Sequence, residues 1–162
     1  MTGTVDIESR LRSDDHLSLR LWLRLLACTN LVEGRARAAL RTDFATSLAR
    51  FDLLSQLERA DGGLKMVELG RRLMVTGGNV TRLVDQLESE GLVGRRRVPE
   101  DGRAYVVRLT AAGRRSFQMM AARHETWIVS MFSVLSQKER RQLYDLLAKL
   151  KGGLTAAQTA RG

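Results

Sequence analysis

Proline is almost missing from this 162-residue chain, where Pro99 stands alone. Proline breaks helices by removing a donor and clashing with the preceding turn, so its scarcity leaves long helical stretches open. Aromatic residues make up 5%, which leaves little material for a large sheet. Cys28 is the one cysteine, and that excludes an intrachain disulfide framework and a cysteine-based zinc site. There is no long hydrophobic run. The longest, residues 21–28, is interrupted by Arg24 and falls far short of the ~20 residues that cross a bilayer. The polar, acidic start of the chain lacks the apolar segment of a secretory signal. These absences predict a cytoplasmic protein with no membrane partner.

Catalytic patterns are missing as well. No GxSxG, HExxH, GxxxxGKS/T or GxGxxG occurs, and His124-Glu125 lacks a second histidine at ligand spacing. The acidic residues are scattered among basic ones. An enzyme is not expected, nor a resident cofactor or metal.

What the chain has in excess is positive charge: 27 Lys and Arg against 18 Asp and Glu, a formal net charge of +9. Such a balance favours nucleic acid or another anionic surface as partner. Much of it is arginine, whose fork suits phosphate and guanine better than a lysine ammonium does. The length suffices for one domain with a proper core.

Residues 76–103 organise the rest. Val80, Leu83, Val84 and Leu87 recur at i, i+3, i+4 and i+7, the apolar face of a helix. Its other face carries Gly78, Arg82, Asp85, Gln86 and Ser89, with Asn79 and Thr81 beside them. Thr76 is its expected N-cap, and Gly91 its stop. A shorter helix precedes it, with Met66, Leu69, Gly70 and Leu73 inward. After it, Leu92-Val93 and residues 105–109 read as two strands around a tip of Pro99, Glu100, Asp101 and Gly102. This order is a winged helix-turn-helix, whose second helix enters the major groove N-terminal end first.

The DNA contacts follow from that geometry. Gly77 and Gly78 let backbone approach phosphates at the helix N-terminus. Arg82 suits guanine and Asn79 adenine, while Thr76 and Thr81 suit phosphates or a thymine methyl. In the wing, Arg95 and Arg97 share one strand face and Arg96 the other. Arg103 at the tip suits a narrow minor groove, with Asp101 orienting it. The plainer reading of the wing is a solvated hairpin with a local ion pair.

The flanks are helical and unusually apolar. Leu17, Leu21, Leu25, Cys28 and Val32 form a stripe that Leu19, Trp22, Leu23 and Leu26 widen. Such a helix needs more than one neighbour, the second of them another subunit. Asp14 or Asp15 is its expected cap. Another helix is predicted over residues 46–59, with Leu48, Phe51, Leu54 and Leu57 inward and Asp61-Gly62-Gly63 as the stop. Thr110 caps a long helix that buries Phe117, Met120, Ala121 and His124. Ser136 and Glu139 form the capping box of a last helix, expected to end at Gly152-Gly153.

Two further constellations lie in these flanks. Arg37 and Arg41 share a helix face with Arg35 to one side. They can hold phosphates of DNA or of a small molecule, or form a solvated face. His16, Trp22, His124 and Trp127 would suit an aromatic acid or acyl ligand at the ends of an apolar cavity. As ordinary core residues they need no ligand. Cys28 reads as packing rather than as a redox sensor.

The stretch ELGRRLMVTGGNVTRLVDQLESEGLVGRRRVPEDGRAYVVRLTAAG, residues 68–113, closely resembles the core of the multiple-antibiotic-resistance-regulator (MarR) family. The marks are the patterned helix-turn-helix, the EGLV step into the wing, Asp101-x-Arg103 and the LT-x-x-G of residues 109–113. The tip reads DGR where many members carry DRR, so Gly102 replaces a basic residue. The likeness in layout covers roughly residues 15–150. It implies a homodimer built from helices at both chain ends, bound to a pseudo-palindromic operator on double-stranded DNA, most often as a repressor. It also implies effector pockets between the dimer helices and the DNA-binding lobes, often for aromatic acids. Residues 74–81, MVTGGNVT, look like regulators of aromatic-acid catabolism, some of which sense aryl-CoA thioesters. Arg35, Arg37 and Arg41 then become candidates for CoA phosphates.

The expected fold is mainly α: a winged helix-turn-helix with a two-stranded β-wing, flanked by N- and C-terminal dimerisation helices. The DNA-binding lobe spans residues 46–113. The dimerisation helices span 14–45 and 114–151, and residues 1–13 and 152–162 are flexible termini. The expected function is a repressor released from its operator by an aromatic acid or its CoA thioester. A non-sensing architectural DNA-binding protein is the alternative, with a small-molecule carrier or enzyme behind it.

Overall fold

The computed structural model describes residues 16–73, 79–98 and 101–159. Among these, the chain runs α1 (Leu17–Phe44), α2 (Leu48–Glu58), β1 (Leu64–Lys65), α3 (Met66–Arg72), α4 (Val80–Ser89), β2 (Val93–Val98), β3 (Asp101–Leu109), α5 (Ala111–Phe132) and α6 (Gln137–Thr159). It divides into two compact units, the boundary falling between Glu125 and Thr126 inside α5.

The first unit is built around α2. Its apolar Leu48, Phe51, Leu53, Leu54 and Leu57 are buried, and so are its polar Asp52 and Gln56. Gln56 Nε2 donates to Asp52 Oδ1 at 3.2 Å, which satisfies part of that buried polarity. Leu69 of α3, the Leu83–Val84–Leu87 face of α4, Leu64 of β1, Val93 of β2, Val107 of β3 and Met120 of α5 complete the core. From α1 only Ala36 and Leu40 are buried. The Ser47 hydroxyl accepts from the Arg50 amide and starts α2.

The strands form an antiparallel sheet in the order β1-β3-β2. Val93 faces Leu109 and Arg97 faces Tyr105, with an irregularity between Arg97 and Val98. The wing strands extend well past the expected Leu92-Val93 pair. A third strand, β1, pairs Leu64 with Val107 and Lys65 with Val106. At two residues it is too short to leave an alternating pattern.

Two glycines show why the reading helix joins the wing as it does. Gly91 follows the end of α4 with φ +73°. Its amide donates to the Glu88 carbonyl and the Leu92 amide to the Leu87 carbonyl, both at 2.9 Å. This paired closure stops a helix where the chain must enter the left-handed region. Gly113 lies where α5 crosses the wing's root, and a Cβ there would sit 1.8 Å from the Leu92 carbonyl oxygen. The Thr110 hydroxyl donates to the Gly91 carbonyl and accepts from the Gly113 amide, fixing that crossing.

α1 is 28 residues long, roughly 42 Å at 1.5 Å per residue. His16 precedes it with no side-chain capping bond; the expected caps, Asp14 and Asp15, lie outside the described residues. Much of its apolar stripe is uncovered within one chain: Leu17 is 67% exposed, and Leu19, Leu21, Trp22, Leu26 and Leu31 are also exposed. Cys28 is exposed too.

The second unit holds the end of α5 and all of α6. The capping box is in place: the Ser136 amide donates to Glu139 Oε2 at 2.8 Å and the Glu139 amide to the Ser136 hydroxyl at 3.3 Å. The Ser136 amide and hydroxyl, both donating to Glu139 Oε2, hold that carboxyl below its ordinary value. α6 does not stop at Gly152-Gly153 as expected but continues to Thr159. Glycine costs only about 1 kcal/mol in a helix, and the alanines beyond favour continuation. The expected flexible terminus is therefore helical over residues 152–159, and residues 160–162 lie outside the described set. Leu143, Tyr144, Leu146, Leu147, Leu150 and Leu154 are exposed along α6. No helix among the described residues is long and apolar enough to cross a membrane.

Candidate nucleic-acid interface

The reading helix α4 is strongly two-faced. Leu83, Val84 and Leu87 are buried, while Thr81, Arg82, Asp85, Gln86 and Ser89 are exposed. Its N-cap is Asn79, not the expected Thr76. Asn79 Oδ1 accepts from the Thr81 amide at 2.9 Å and the Arg82 amide at 3.4 Å. That oxygen is then engaged, and a bidentate adenine contact by Asn79 would compete with the cap. Thr76, Gly77 and Gly78 lie outside the described residues. Thr81 and Arg82 stand exposed on the first turn, and Arg82 has no ion-pair partner among the described residues.

The wing's arginines part company. Arg95 turns back onto α4, where its guanidinium bonds to both Asp85 and Glu88. Its amide also donates to Glu88 Oε1 at 3.3 Å. The hydrogen bond that Arg95 donates to Asp85, with Glu88 behind it, raises the Arg95 pKa above the usual arginine range. Arg97 instead lies 5.6 Å from the Tyr105 ring centroid, and its Nε donates to the Tyr105 hydroxyl at 3.0 Å. Both partners are exposed, so the pair presents a braced cation on the wing surface. Arg96 is exposed. Asp101 and Arg103 lie in β3 by backbone; their side chains are outside the described set.

A cleft of about 470 Å³ opens where α1 ends, α2 begins and α4 passes. Arg37, Arg41, Ala45, Thr46, Ser47, Arg50 and Gln86 line it. Two of the three predicted arginines, Arg37 and Arg41, thus meet in one hollow; exposed Arg35 is not among its lining residues. Arg37 pairs with Glu33 one turn back. Arg50 forks onto Glu90 at the end of α4, with Nη1 2.8 Å from Oε1, and that bond holds the Glu90 carboxyl below its ordinary 4.5. Arg50 and Tyr105 are contributors that sequence reasoning missed. Arg50 sits 40 residues from Glu90, and no local pattern marks such a pair.

Of the aromatic constellation, His16 and His124 do not meet within the first unit. His124 stacks on Phe51 with centroids 4.8 Å apart, and burial pushes its pKa below the ordinary 6.5. Its neighbour Arg123 reaches Asp43 near the C-terminal end of α1, Nε to Oδ2 3.4 Å. His16 precedes the opposite end, roughly 40 Å away along the axis. Trp22 is exposed on the N-terminal half of α1, and Trp127 belongs to the second unit. No cluster of histidine, cysteine and acidic side chains suited to a metal occurs among the described residues.

Known proteins share this fold. A sequence model of the MarR family matches residues 46–104, from the turn before α2 into the wing. A MarR family transcriptional regulator from Silicibacter pomeroyi, known from its crystal structure, is 31% identical. It covers 90% of this chain and is itself covered to 99%, with a TM-score of 0.72. YdgJ of Bacillus subtilis, an HTH-type transcriptional regulator, is 37% identical over 108 residues, 67% of this chain and 65% of its own length. An HTH-type transcriptional regulator of Bacillus cereus is 29% identical over 138 residues, 85% of this chain and 90% of its own.

Proposed function

The chain belongs to the MarR family of transcriptional regulators, and from that premise we propose that it works as a dimeric repressor of duplex DNA, released by a small-molecule effector. The observation that carries the dimer is the uncovered apolar surface of α1 and α6. Leu17, Leu21, Trp22 and Leu31 on α1, and Leu146 and Leu154 on α6, are each more than half exposed. Apolar area of this extent on two long helices costs about 25 cal/mol per Å² while it faces water, and a second copy removes that cost. Two copies present two α4 helices and two wings, which suits half-sites about one helical turn, or 34 Å, apart.

The effector assigned here is an aromatic acid or its CoA thioester. Its support is the resemblance of residues 74–81 to regulators of aromatic-acid catabolism, together with the indole of Trp22 left exposed on α1. Release is a population shift: the effector favours a spacing of the two α4 helices that no longer matches the half-sites.

Native mass spectrometry and fluorescence anisotropy test the reading together. The expected result is a dimer that binds duplex from its own promoter region far better than random duplex. 4-Hydroxybenzoate or 4-hydroxybenzoyl-CoA should then release it. A monomer without preference between the duplexes overturns the regulator reading. A specific dimer indifferent to both compounds overturns the effector alone. Leu146→Glu, which places a charge on the α6 face, should shift the protein to monomer and weaken operator binding with it.

A further inference from the structure

The cleft at the α1–α2 corner lies outside the reading helix's groove-facing tip and outside the wing. Three guanidiniums converge on it, from Arg37, Arg41 and Arg50. The Arg37 and Arg50 charges are offset by Glu33 and Glu90. Arg41 is exposed and has no ion-pair partner among the described residues. A second observation concerns Arg50. Its side chain is only 20% exposed, and its buried Nε has no hydrogen-bond partner among the described residues.

The backbone at this corner adds to the potential. α2 starts here with no acidic residue in its first turn, so its free amides and dipole favour an anion. The C-terminal dipole of α1 opposes this. Two of its carbonyls, those of Arg41 and Leu40, are taken up by the Ala45 and Thr46 amides, and Ala45 accepts a left-handed φ of +51° to make that closure. The Ser47 oxygen accepts from the Arg50 amide at 3.2 Å, which leaves its proton free to be donated outward. The volume of the hollow falls within the range of small-molecule sites.

We propose that this cleft is a phosphate-binding site, with Arg41 as its principal ligand and Arg50, Arg37 and Ser47 supporting. The shared chemistry is a phosphoryl oxygen, carried either by a free phosphorylated small molecule or by the backbone of bound DNA. Gln86 of α4 lines the same cleft and lies one turn from Arg82 on the exposed face. Arg50 holds Glu90 at the end of that helix. Occupancy draws on Arg50 and so acts on the reading helix.

The probe is pyrophosphate, titrated calorimetrically into the full chain at constant ionic strength, beside anisotropy titrations of promoter duplex over a salt series. Arg59→Gln, at the opposite end of α2, controls for loss of one charge. If the source is a free phosphate, pyrophosphate binds, and Arg41→Gln weakens it about tenfold or more while Arg59→Gln does not. Glu90→Gln, which frees Arg50 from its carboxylate, then tightens it, an effect misfolding cannot mimic. If the source is DNA, pyrophosphate does not bind, and Arg41→Gln lowers the slope of log affinity against log salt by about one relative to Arg59→Gln. If Arg41→Gln matches Arg59→Gln in both titrations, the proposal is overturned. The duplex arm rests on the regulator reading above and the pyrophosphate arm does not, so a chain that binds pyrophosphate but no duplex sinks that reading and keeps the cleft.

Discussion

The guanidinium of Arg95 on the wing strand β2 bonds to Asp85 on the reading helix α4, and Glu88 takes its other edge. Within a run of three arginines, this one faces inward to protein carboxylates. These bonds tie the wing strand β2 to α4. Arg95→Ala should lower stability by about 1 kcal/mol, the scale of a partly shielded charge network. It should also weaken duplex binding without changing the salt slope. A slope reduced by about one would mean that Arg95 touches phosphate directly.

Arg82 is the base-reading candidate with a free side chain on the first turns of α4. Arg82→Ala should cost about 1–3 kcal/mol on the preferred duplex and leave binding to random duplex nearly unchanged. Anisotropy against a panel of single-base operator variants checks this. A uniform loss on all duplexes would reassign Arg82 to the backbone.

Gly113 has no room for a methyl group, since the Leu92 carbonyl oxygen would lie 1.8 Å from it. Gly113→Ala should destabilise the first unit by about 3 kcal/mol or more, because backbone on both sides must move. The urea midpoint measures it. A shift below about 1 kcal/mol would show that α5 slides freely on the wing's root.

Acid should weaken the first unit through His124. Burial lowers its pKa in the folded chain below the ordinary 6.5, so the unfolded chain binds the proton more readily. Stability from the neutral ring is therefore complete above about pH 6.5 and declines as pH falls from there toward the folded pKa. His124→Phe keeps a ring against Phe51 and removes the titration. Urea midpoints at about pH 5 and about pH 8 should differ less in the variant than in the native chain. An equal difference in both would place the acid sensitivity elsewhere.

The elements legible in the sequence were those whose signal is local. The i, i+3, i+4, i+7 face of α4, the Ser136–Glu139 capping box and the cap by Thr110 each depend on neighbours within one helical turn. The pattern of residues over such a span determines them wherever the segment ends up. Asn79 against Thr76 was not decidable that way, because both residue types cap helices well. The choice falls to whichever position lets Leu83, Val84 and Leu87 reach the α2 core. β1 was hidden for a related reason. Two residues carry no period, and only pairing with Val106 and Val107 makes them a strand.

The reading helix and its apolar face, the basic wing and the surplus apolar surface of the flanks were determined by the sequence alone, since each follows from side-chain period and composition. The tertiary structure decided where the charges point. It turned Arg95 onto Asp85, braced Arg97 on Tyr105, and brought Arg37, Arg41 and Arg50 into one hollow beside Gln86. Long charged side chains can reach partners distant in sequence, and the direction in which each settles depends on which partners folding places within reach.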